Sequence, residues 1–221
     1  FPYTTLFRSV KIEGIRFAHN ERTFMDTKEP LLRSDWTIYR GGAILMDGTE
    51  GCKIADCIFE GIGGNAVMLS NYNKKDTITG CHIYNTGANA VCFIGDVKAV
   101  RSASFGYENY IPYPSLDKTP GPKTDNYPQD CVVSDNLLHD LGEIEKQATG
   151  VEIEIASSIT VSHNTIYNTS RAGINIGDGC FGGHLLEYND VFNTVRETGD
   201  HGSFNSWGRE RYWAPDRRYM D

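Results

Sequence analysis

The hydrophobic and polar positions of this chain repeat in units of about two dozen residues. Six four-residue segments align, each a small residue followed by three strand-like positions: 43–46, 66–69, 90–93, 150–153, 173–176 and 202–205. Their third position is Leu45, Met68 and Cys92 in the first three segments, but Glu152 and Asn175 in the next two. The repeat keeps its inner apolar positions while one outward position becomes polar, which indicates a scaffold that carries a site.

A second series of apolar residues follows the same repeat and indicates the fold class. Its members are Phe17, Phe59, Ile83, Leu138, Ile166 and Val191. Periods of this length are typical of solenoids, and the sparse leucine content disfavours leucine-rich repeats. Short runs of β-branched residues, such as 159–161 and 151–155, instead indicate strands. The sequence therefore predicts an all-β fold, a right-handed parallel β-helix of about six to eight coils.

Asparagine and glycine residues occupy the turns between the predicted strands. Asn136, Asn164 and Asn189 stand two positions before members of the second apolar series. Residues that tolerate left-handed backbone conformations stand two positions after them: Gly61, Asn85, Asp140, Asn168 and Asn193. We expect the asparagines at one coil position to stack, with each side-chain amide bonded to the turn of the next coil.

Two interruptions of the repeat, residues 19–40 and 95–129, are longer than ordinary turns. The second contains too many aromatic residues for a disordered linker: Phe105, Tyr107, Tyr110, Tyr113 and Tyr127. We predict a folded loop that forms the wall of a cleft on the side of the solenoid. Such a loop can also pack over the apolar outer face made by Leu45, Met68 and Cys92.

The first nine residues resemble a translated sequencing-adapter sequence. Residues 1–9 are therefore expected to be a non-native leader that carries no fold information, and residues 10–221 to be a partial β-helix domain.

The composition limits the kinds of partner that the chain is expected to have. A formal charge of -8 and a pI near 5.2 argue against nucleic-acid binding. No apolar run of about 18 residues is present, so no membrane span is predicted.

The six cysteines are predicted to be buried thiols rather than disulfide bridges or metal ligands, because they form no C-x-x-C pair and no spacing typical of a zinc site. They are Cys52, Cys57, Cys81, Cys92, Cys131 and Cys180.

The candidate chemistry lies in the later coils. Glu152 and Glu154 share one strand face, which we expect to be the outer surface, while Val151, Ile153 and Ile155 face the core. Asn175 and Asp178 follow one coil later, and Asp200 and His201, aligned with Arg171 and Ala172, one coil further. Carboxylates on neighbouring coils lie about 5 Å apart. Because sugar hydrolysis uses such pairs, the predicted catalytic residues are Glu152, Glu154, Asp178, Asp200 and His201. A solvated polar face is the simpler alternative.

A dense polar and aromatic segment follows Asp200. Its aromatic faces suit sugar rings, and its arginines suit carboxylates or rigid hydrogen-bond networks. The predicted substrate-binding residues are Asn175, Asn205, Trp207, Arg209, Arg211, Tyr212 and Trp213. An aromatic cap packed on the solenoid edge is the structural alternative.

The repeat resembles the pectate-lyase-like superfamily of β-helices from Val10 to about Trp207. The strings at 178–184 and 200–213 are similar to those of glycoside hydrolase family 141. This resemblance implies an enzyme that acts on plant cell-wall polysaccharides, as the α-L-fucosidases and xylanases of that family do, and a secreted, periplasmic or cell-surface location. The chains of the family are much longer, so the resemblance also implies a fragment, which is inactive if a catalytic residue lies outside it. No cofactor is expected for a hydrolase.

Two other functions remain open on the same fold. A polysaccharide lyase would use an arginine base, for which Arg171, Arg209 and Arg211 are candidates, and calcium held by Asp178 with Glu154. A surface β-helix that binds glycans without turnover is the third interpretation.

Overall fold

The computed structural model describes residues 6–32, 36–104, 109, 111–178 and 181–206. These residues form a solenoid in which parallel strands of successive coils stack into three sheets. Each regular coil contributes one strand to each sheet, and the apolar side chains fill the space that the sheets enclose. The all-β solenoid expected from the repeat is confirmed.

The strands of the three sheets are given in the order in which they stack. Sheet 1 contains Phe7–Arg8, Ile44–Glu50, Val67–Lys74, Val91–Ile94, Val151–Glu154, Ile174–Asp178 and Phe204–Ser206, with Pro128–Gln129 paired to the end of Val67–Lys74. Sheet 2 contains Lys11–Glu13, Lys53–Ala55, Thr77–Thr79, Val132–Ser134, Thr160–Ser162 and Leu185–Glu187. Sheet 3 contains Arg16–Ala18, Ile58–Ile62, His82–Thr86, Leu137–Leu141, Thr165–Thr169 and Asp190–Phe192.

The pairing register agrees with the sequence alignment except in the last coil. In sheet 1, Leu45, Met68, Cys92, Glu152 and Asn175 pair in that order. The second apolar series pairs in the same way throughout sheet 3. The alignment of the last coil is wrong by one residue. Asn175 pairs with Asn205, so the inner position is taken by Phe204 and not by Ser203.

Stacked asparagines stabilise one turn of the solenoid, as expected. Asn136 donates its amide to Asn164, and Asn164 donates in turn to Asn189, each over 2.9 Å. At the carboxyl ends of the sheet 3 strands, the predicted left-handed positions all have positive φ: Gly61, Asn85, Asp140, Asn168 and Asn193. One set of residues therefore supplies hydrogen bonds between coils, and the other adopts the backbone conformation that bends the chain.

The segment set aside as a leader contributes to sheet 1. Phe7 and Arg8 form a short parallel strand beside Thr49 and Glu50, and the guanidinium of Arg8 lies 2.8 Å from the carboxylate of Glu50. The foreign origin of residues 1–9 stays a prediction.

A segment that we call the strap, residues 29–32 and 36–38, covers part of the outer face of sheet 1. Its strands Glu29–Pro30 and Thr37–Ile38 pair in antiparallel fashion. The buried residues Leu31, Trp36 and Ile38 of the strap pack with three sheet residues: Met68, Cys92 and Ile94. The apolar outer face of these coils therefore seats the first insertion, whereas the sequence predicted the long aromatic loop. Leu45, at the end of the sheet, remains 52% exposed.

The long loop begins with a 3-10 turn at Val97–Ala99 and has a second at Tyr113–Ser115. It packs through a separate cluster of buried residues: Leu32, Ala99, Val100, Tyr127 and Ile155. Ile155 was expected to face the core beside Ile153. That expectation is wrong, because the strand ends at Glu154 and Ile155 has a φ of 51°, which directs its side chain to this cluster.

Five cysteines are free and buried, as predicted: Cys52, Cys57, Cys81, Cys92 and Cys131. Cys180 lies outside the described residues. Within the described parts of the chain, the structure contains no helix with the length and apolar character needed to cross a membrane.

Candidate functional site

A row of hydrogen-bonded side chains runs along the outward positions of sheet 1. Asn175 donates its amide to Oε1 of Glu152 over 2.6 Å, and Asn205 donates to Oδ1 of Asn175 over 2.5 Å. Thr149 lies beside the other oxygen of Glu152, with its hydroxyl 3.3 Å away. The row forms because in-register parallel strands place equivalent side chains about 4.8 Å apart.

A β-bulge places Asp178 opposite Glu154, beside this row. Ile153 pairs with Ile176, but Glu154 pairs with Asp178, so Gly177 is the extra residue. A bulge re-aims the side chain that follows it. The carboxyl group of Glu154 occupies the space above Gly177, where a Cβ atom would lie 1.7 Å from Oε1 of Glu154. The absence of a side chain at Gly177 therefore makes room for the carboxyl group on the adjacent coil.

The three carboxyl groups are buried, and the prediction that both glutamates lie on the outer surface is wrong. Glu152 and Glu154 are 0% exposed, and Asp178 is 1% exposed. The side chains lie at outward positions of the strands, and the strap packs on residues of the adjacent strands. Trp36 packs with Cys92 on one neighbouring coil and lies over the guanidinium of Arg171 on the other, with 4.8 Å between the ring centroid and Cζ.

Burial raises the pKa of two members of this group of residues, which we call the carboxyl triad: Glu152, Glu154 and Asp178. Burial, augmented by the charge of Asp178 and opposed by hydrogen bonds from Glu154, Asn175 and Thr149, raises the pKa of Glu152 to about 7. The pKa of Glu154 is raised well above its ordinary value by burial first, and then by the charges of Asp178 and Glu152. Burial and the neighbouring charges therefore favour the protonated form of Glu154, which suits a proton donor.

Comparison with known proteins agrees with this architecture. A family model described as a right-handed β-helix region matches residues 37–195. The chain belongs to the right-handed β-helix family. The match includes Glu152, Glu154 and Asp178, and it confirms the handedness that the repeat predicted. No curated protein matches the sequence of this β-helix.

A solved structure with the name "Glycoside hydrolase" is similar to this β-helix. The TM-score is 0.66, and the similarity covers 92% of this chain and 37% of that one at 13% sequence identity. At this identity the similarity shows the shared fold. The chain of this β-helix spans well under half the length of that structure.

Asp200 and His201 belong to a second group, centred on Arg171. The buried guanidinium of Arg171 lies 3.2 Å from the carboxylate of Asp200 and donates from Nε to Nδ1 of His201 over 2.9 Å. A hydrogen bond with His201 and the charge of Arg171 hold the pKa of Asp200 below its ordinary value. The side chain of His201 is buried and its ring lies 5.8 Å from that of Trp36. This group fastens the last coil to the strap, and the catalytic roles of Asp200 and His201 stay predictions.

Several predicted residues lie beyond the described part of the chain. They are Trp207, Arg209, Arg211, Tyr212 and Trp213, and their substrate-binding role stays a prediction. Asn175 and Asn205 are brought into the row, where each contacts its neighbours on the adjacent coils.

An open pocket lies between the strap and the start of the long loop. Its volume is about 300 Å³, and it is lined by Glu29, Pro30, Leu31, Leu32, Arg40, Asn71, Ile94, Gly95, Asp96, Val97 and Ile155. The prediction that the long loop forms one wall of a cleft agrees with this arrangement. Two of the lining residues adjoin Glu154: Ile94 pairs with Glu154, and Ile155 follows Glu154 in the sequence. The pocket therefore borders the carboxyl triad, but no member of the triad lines the pocket.

Sequence reasoning missed the residues that close the site and shape the pocket. Trp36, Glu29 and Arg40 lie in the first insertion, whose charged and aromatic composition was the available signal. Nothing in the repeat pattern indicates which outward row an insertion will cover. Gly177 could have been found from its place between the strand and Asp178.

Replacement of Gly177 by alanine is expected to destabilise the fold by about 1–3 kcal/mol, because the new methyl group displaces the carboxyl group of Glu154. Chemical denaturation followed by circular dichroism measures the change. Gly199→Ala is the matched control, since a Cβ atom at Gly199 meets open space. Equal stabilities of the two variants would contradict the assigned position of Glu154.

Proposed function

We propose that this β-helix hydrolyses a glycosidic bond in a polysaccharide, with the carboxyl triad as its reactive group. The observation that carries the proposal is the position of the buried Glu154, which shares a strand with Glu152 and pairs with Asp178 on the next strand. Glycoside hydrolysis needs one carboxylic acid that donates a proton and one carboxylate that acts as nucleophile or base. The fold shared with the similar glycoside hydrolase structure supports the proposal.

The proposed chemistry follows from the unequal proton affinities. Glu154 would donate its proton to the glycosidic oxygen as the bond from that oxygen to the anomeric carbon breaks. Asp178 or Glu152, once ionised, would attack the anomeric carbon or take a proton from the attacking water. Because all three side chains are buried, the proposal also requires the strap to move away from the outward row before substrate reaches it.

A non-catalytic glycan-binding β-helix is the second candidate. The complete burial of the carboxyl triad favours it, since a closed site contacts no substrate in this conformation. A lyase has less support. Arg171 is buried and engaged with Asp200 and His201, and the described ranges contain no group of three or more His, Cys, Asp or Glu side chains arranged to hold a metal ion.

The test is a turnover assay on a panel of plant and bacterial polysaccharides, with products identified by mass spectrometry. We expect release of reducing sugar that persists in a chelator. An unsaturated product absorbing in the ultraviolet would instead identify a lyase. Binding without any product would support the second candidate.

The pH profile of kcat/KM provides a further expected result. With Glu154 as the proton donor and its pKa raised well above the ordinary value, activity should persist above the pH range in which ordinary glutamic acids lose their protons. Ordinary glutamates would lose their protons near pH 4.3. A decline completed below about pH 5.5 would contradict the assignment of the donor to the carboxyl triad.

A further inference from the structure

The pocket between the strap and the long loop combines an apolar surface with hydrogen-bond acceptors. Leu31, Leu32, Ile94, Val97 and Ile155 provide the apolar part. A volume of about 300 Å³ lies at the small end of ligand sites, which span about 300–1,000 Å³. Such a pocket suits one ring of a glycan rather than a long segment.

The polar groups of the pocket mainly accept hydrogen bonds. Glu29 uses Oε1 to bind Arg40, and its side chain is 41% exposed. Asp96 accepts one bond at each oxygen, from the backbone of Lys98 and from Asn126, and each oxygen keeps a further lone pair. Asn71 donates its amide to Asp47, which leaves its carbonyl oxygen as an acceptor. Sugar hydroxyl groups are donors that match these acceptors.

The one cation among the described lining residues is fully engaged. A guanidinium group has five N–H donors. Arg40 uses two of them on Glu29, one on the hydroxyl of Ser70, and two on the backbone carbonyls of Ile94 and Gly95. A carboxylate on a ligand would therefore find no available cationic donor from Arg40.

The charge balance of the pocket also disfavours a ligand that carries a carboxylate. Glu29 and Asp96 carry two negative charges and Arg40 carries one positive charge, so the described lining is net negative. Like charges at short range in a partly enclosed site repel by more than they would in bulk water.

We propose that this pocket is a subsite for a single neutral sugar ring and that it rejects uronic acids. The inference rests on the proposed function, because it names the sugar class that would be presented beside the carboxyl triad. The apolar wall would contact the C–H face of the ring, while Glu29, Asn71 and Asp96 accept hydrogen bonds from its hydroxyl groups.

The test uses matched sugars that differ only at C6: methyl α-D-galactopyranoside and its uronic acid, and methyl α-D-glucopyranoside and its uronic acid. Saturation-transfer NMR and titration at pH 7 measure binding. We expect the neutral member of at least one pair to bind at least tenfold more tightly than its uronic acid. Tighter or equal binding of both uronic acids, or no binding of any of the four sugars, would overturn the proposal.

A matched pair of variants places the binding in this pocket. Asn71 has a φ of 57°, so Asn71→Gly removes the amide without straining the backbone. Asn193→Gly removes an equivalent inter-coil asparagine, with a φ of 48°, far from the pocket lining. We expect Asn71→Gly to weaken binding of the neutral sugar by about 5- to 10-fold, the value of one hydrogen bond. Asn193→Gly should leave binding unchanged, and an equal effect of both variants would contradict the pocket assignment.

A variant that removes one negative charge from the pocket tests the rejection of uronic acids. Asp96→Asn removes one negative charge and should raise the affinity for the uronic acids relative to the neutral sugars. An unchanged ratio would contradict the electrostatic argument. These binding measurements need no turnover, so loss of the hydrolase proposal and loss of the subsite proposal give different results.

Discussion

Replacement of Glu152 by glutamine, or of Asp178 by asparagine, is expected to reduce turnover of a glycan substrate by about 10²–10⁴-fold. Either change removes a carboxyl group that can ionise, while the amide keeps nearly the same shape. In Glu152→Gln the new side chain would still present an oxygen to the amide of Asn175, which now lies 2.6 Å from Oε1 of Glu152. We therefore expect the fold and glycan binding to be kept.

The control for these variants is Glu143→Gln. Glu143 is an exposed glutamate outside the carboxyl triad. We expect its replacement to leave turnover nearly unchanged, since its side chain lies in solvent. Initial rates at pH 6, with circular dichroism to verify the fold, measure all three variants. Full activity of both Glu152→Gln and Asp178→Asn would overturn the site assignment.

The second large effect concerns stability. We expect the free energy of unfolding to fall as pH rises from 7 to 8, and Glu154→Gln to reduce that fall. The pKa of Glu154 is raised in the folded protein, so its stabilising contribution is complete below the unfolded value and declines as pH rises towards the folded value.

The window is chosen so that other groups contribute little. Burial lowers the pKa of His184 to about 4, which costs stability only at acidic pH, where the unfolded chain takes up a proton that the folded chain does not. Burial raises the pKa of Cys81 to about 11 and that of Cys131 to about 12, which lowers stability only as unfolded thiols ionise near pH 8.5. Between pH 7 and 8 the remaining slope comes mainly from Glu154, with a smaller share from Glu152.

Urea denaturation at pH 7.0, 7.5 and 8.0 measures this slope. Glu143→Gln is the matched control, because Glu143 is an exposed glutamate on a nearby turn and its replacement should leave the slope unchanged. A glutamine side chain at position 154 can donate its amide to both neighbouring carboxylates without an ionisable proton. If the unfolding free energy of Glu154→Gln changed with pH as steeply as that of the unmodified protein, the result would contradict a raised pKa of Glu154.

The strap explains why the outward row differs from an ordinary solenoid surface. A carboxyl pair on an open face would be solvated, and its proton affinities would lie near those of free side chains. Trp36 packs with Cys92 and Arg171, which lie on the coils on either side of Glu152, and Glu152 itself is fully buried. The burial that raises the pKa values of Glu152 and Glu154 also keeps substrate away from them. Movement of the strap would therefore change both the access of substrate and the proton affinity of these residues.

The sequence alone determined the architecture of this protein. Apolar residues at a repeating period and asparagines at one turn position admit few folds, because each coil buries its apolar positions only by stacking on its neighbours. The same local pattern identified the row that contains Glu152 and Asn175. The last coil was misaligned by one residue because the small residue Gly202 mimics the start of a repeat, whereas the pairing places Phe204 beside Ile174.

Only the tertiary structure decided the environment of that row. A repeat pattern records which side chains point outward, but burial depends on a strap whose own sequence has no period. Trp36, Arg40 and Arg171 meet residues far from them in the sequence, and no local rule predicts those contacts. The burial of Glu152 and Glu154, the separation of Asp200 from them and the neutralised cation of the pocket all follow from these long-range contacts. Local periodicity thus determined the scaffold, and non-local packing determined the chemistry that it supports.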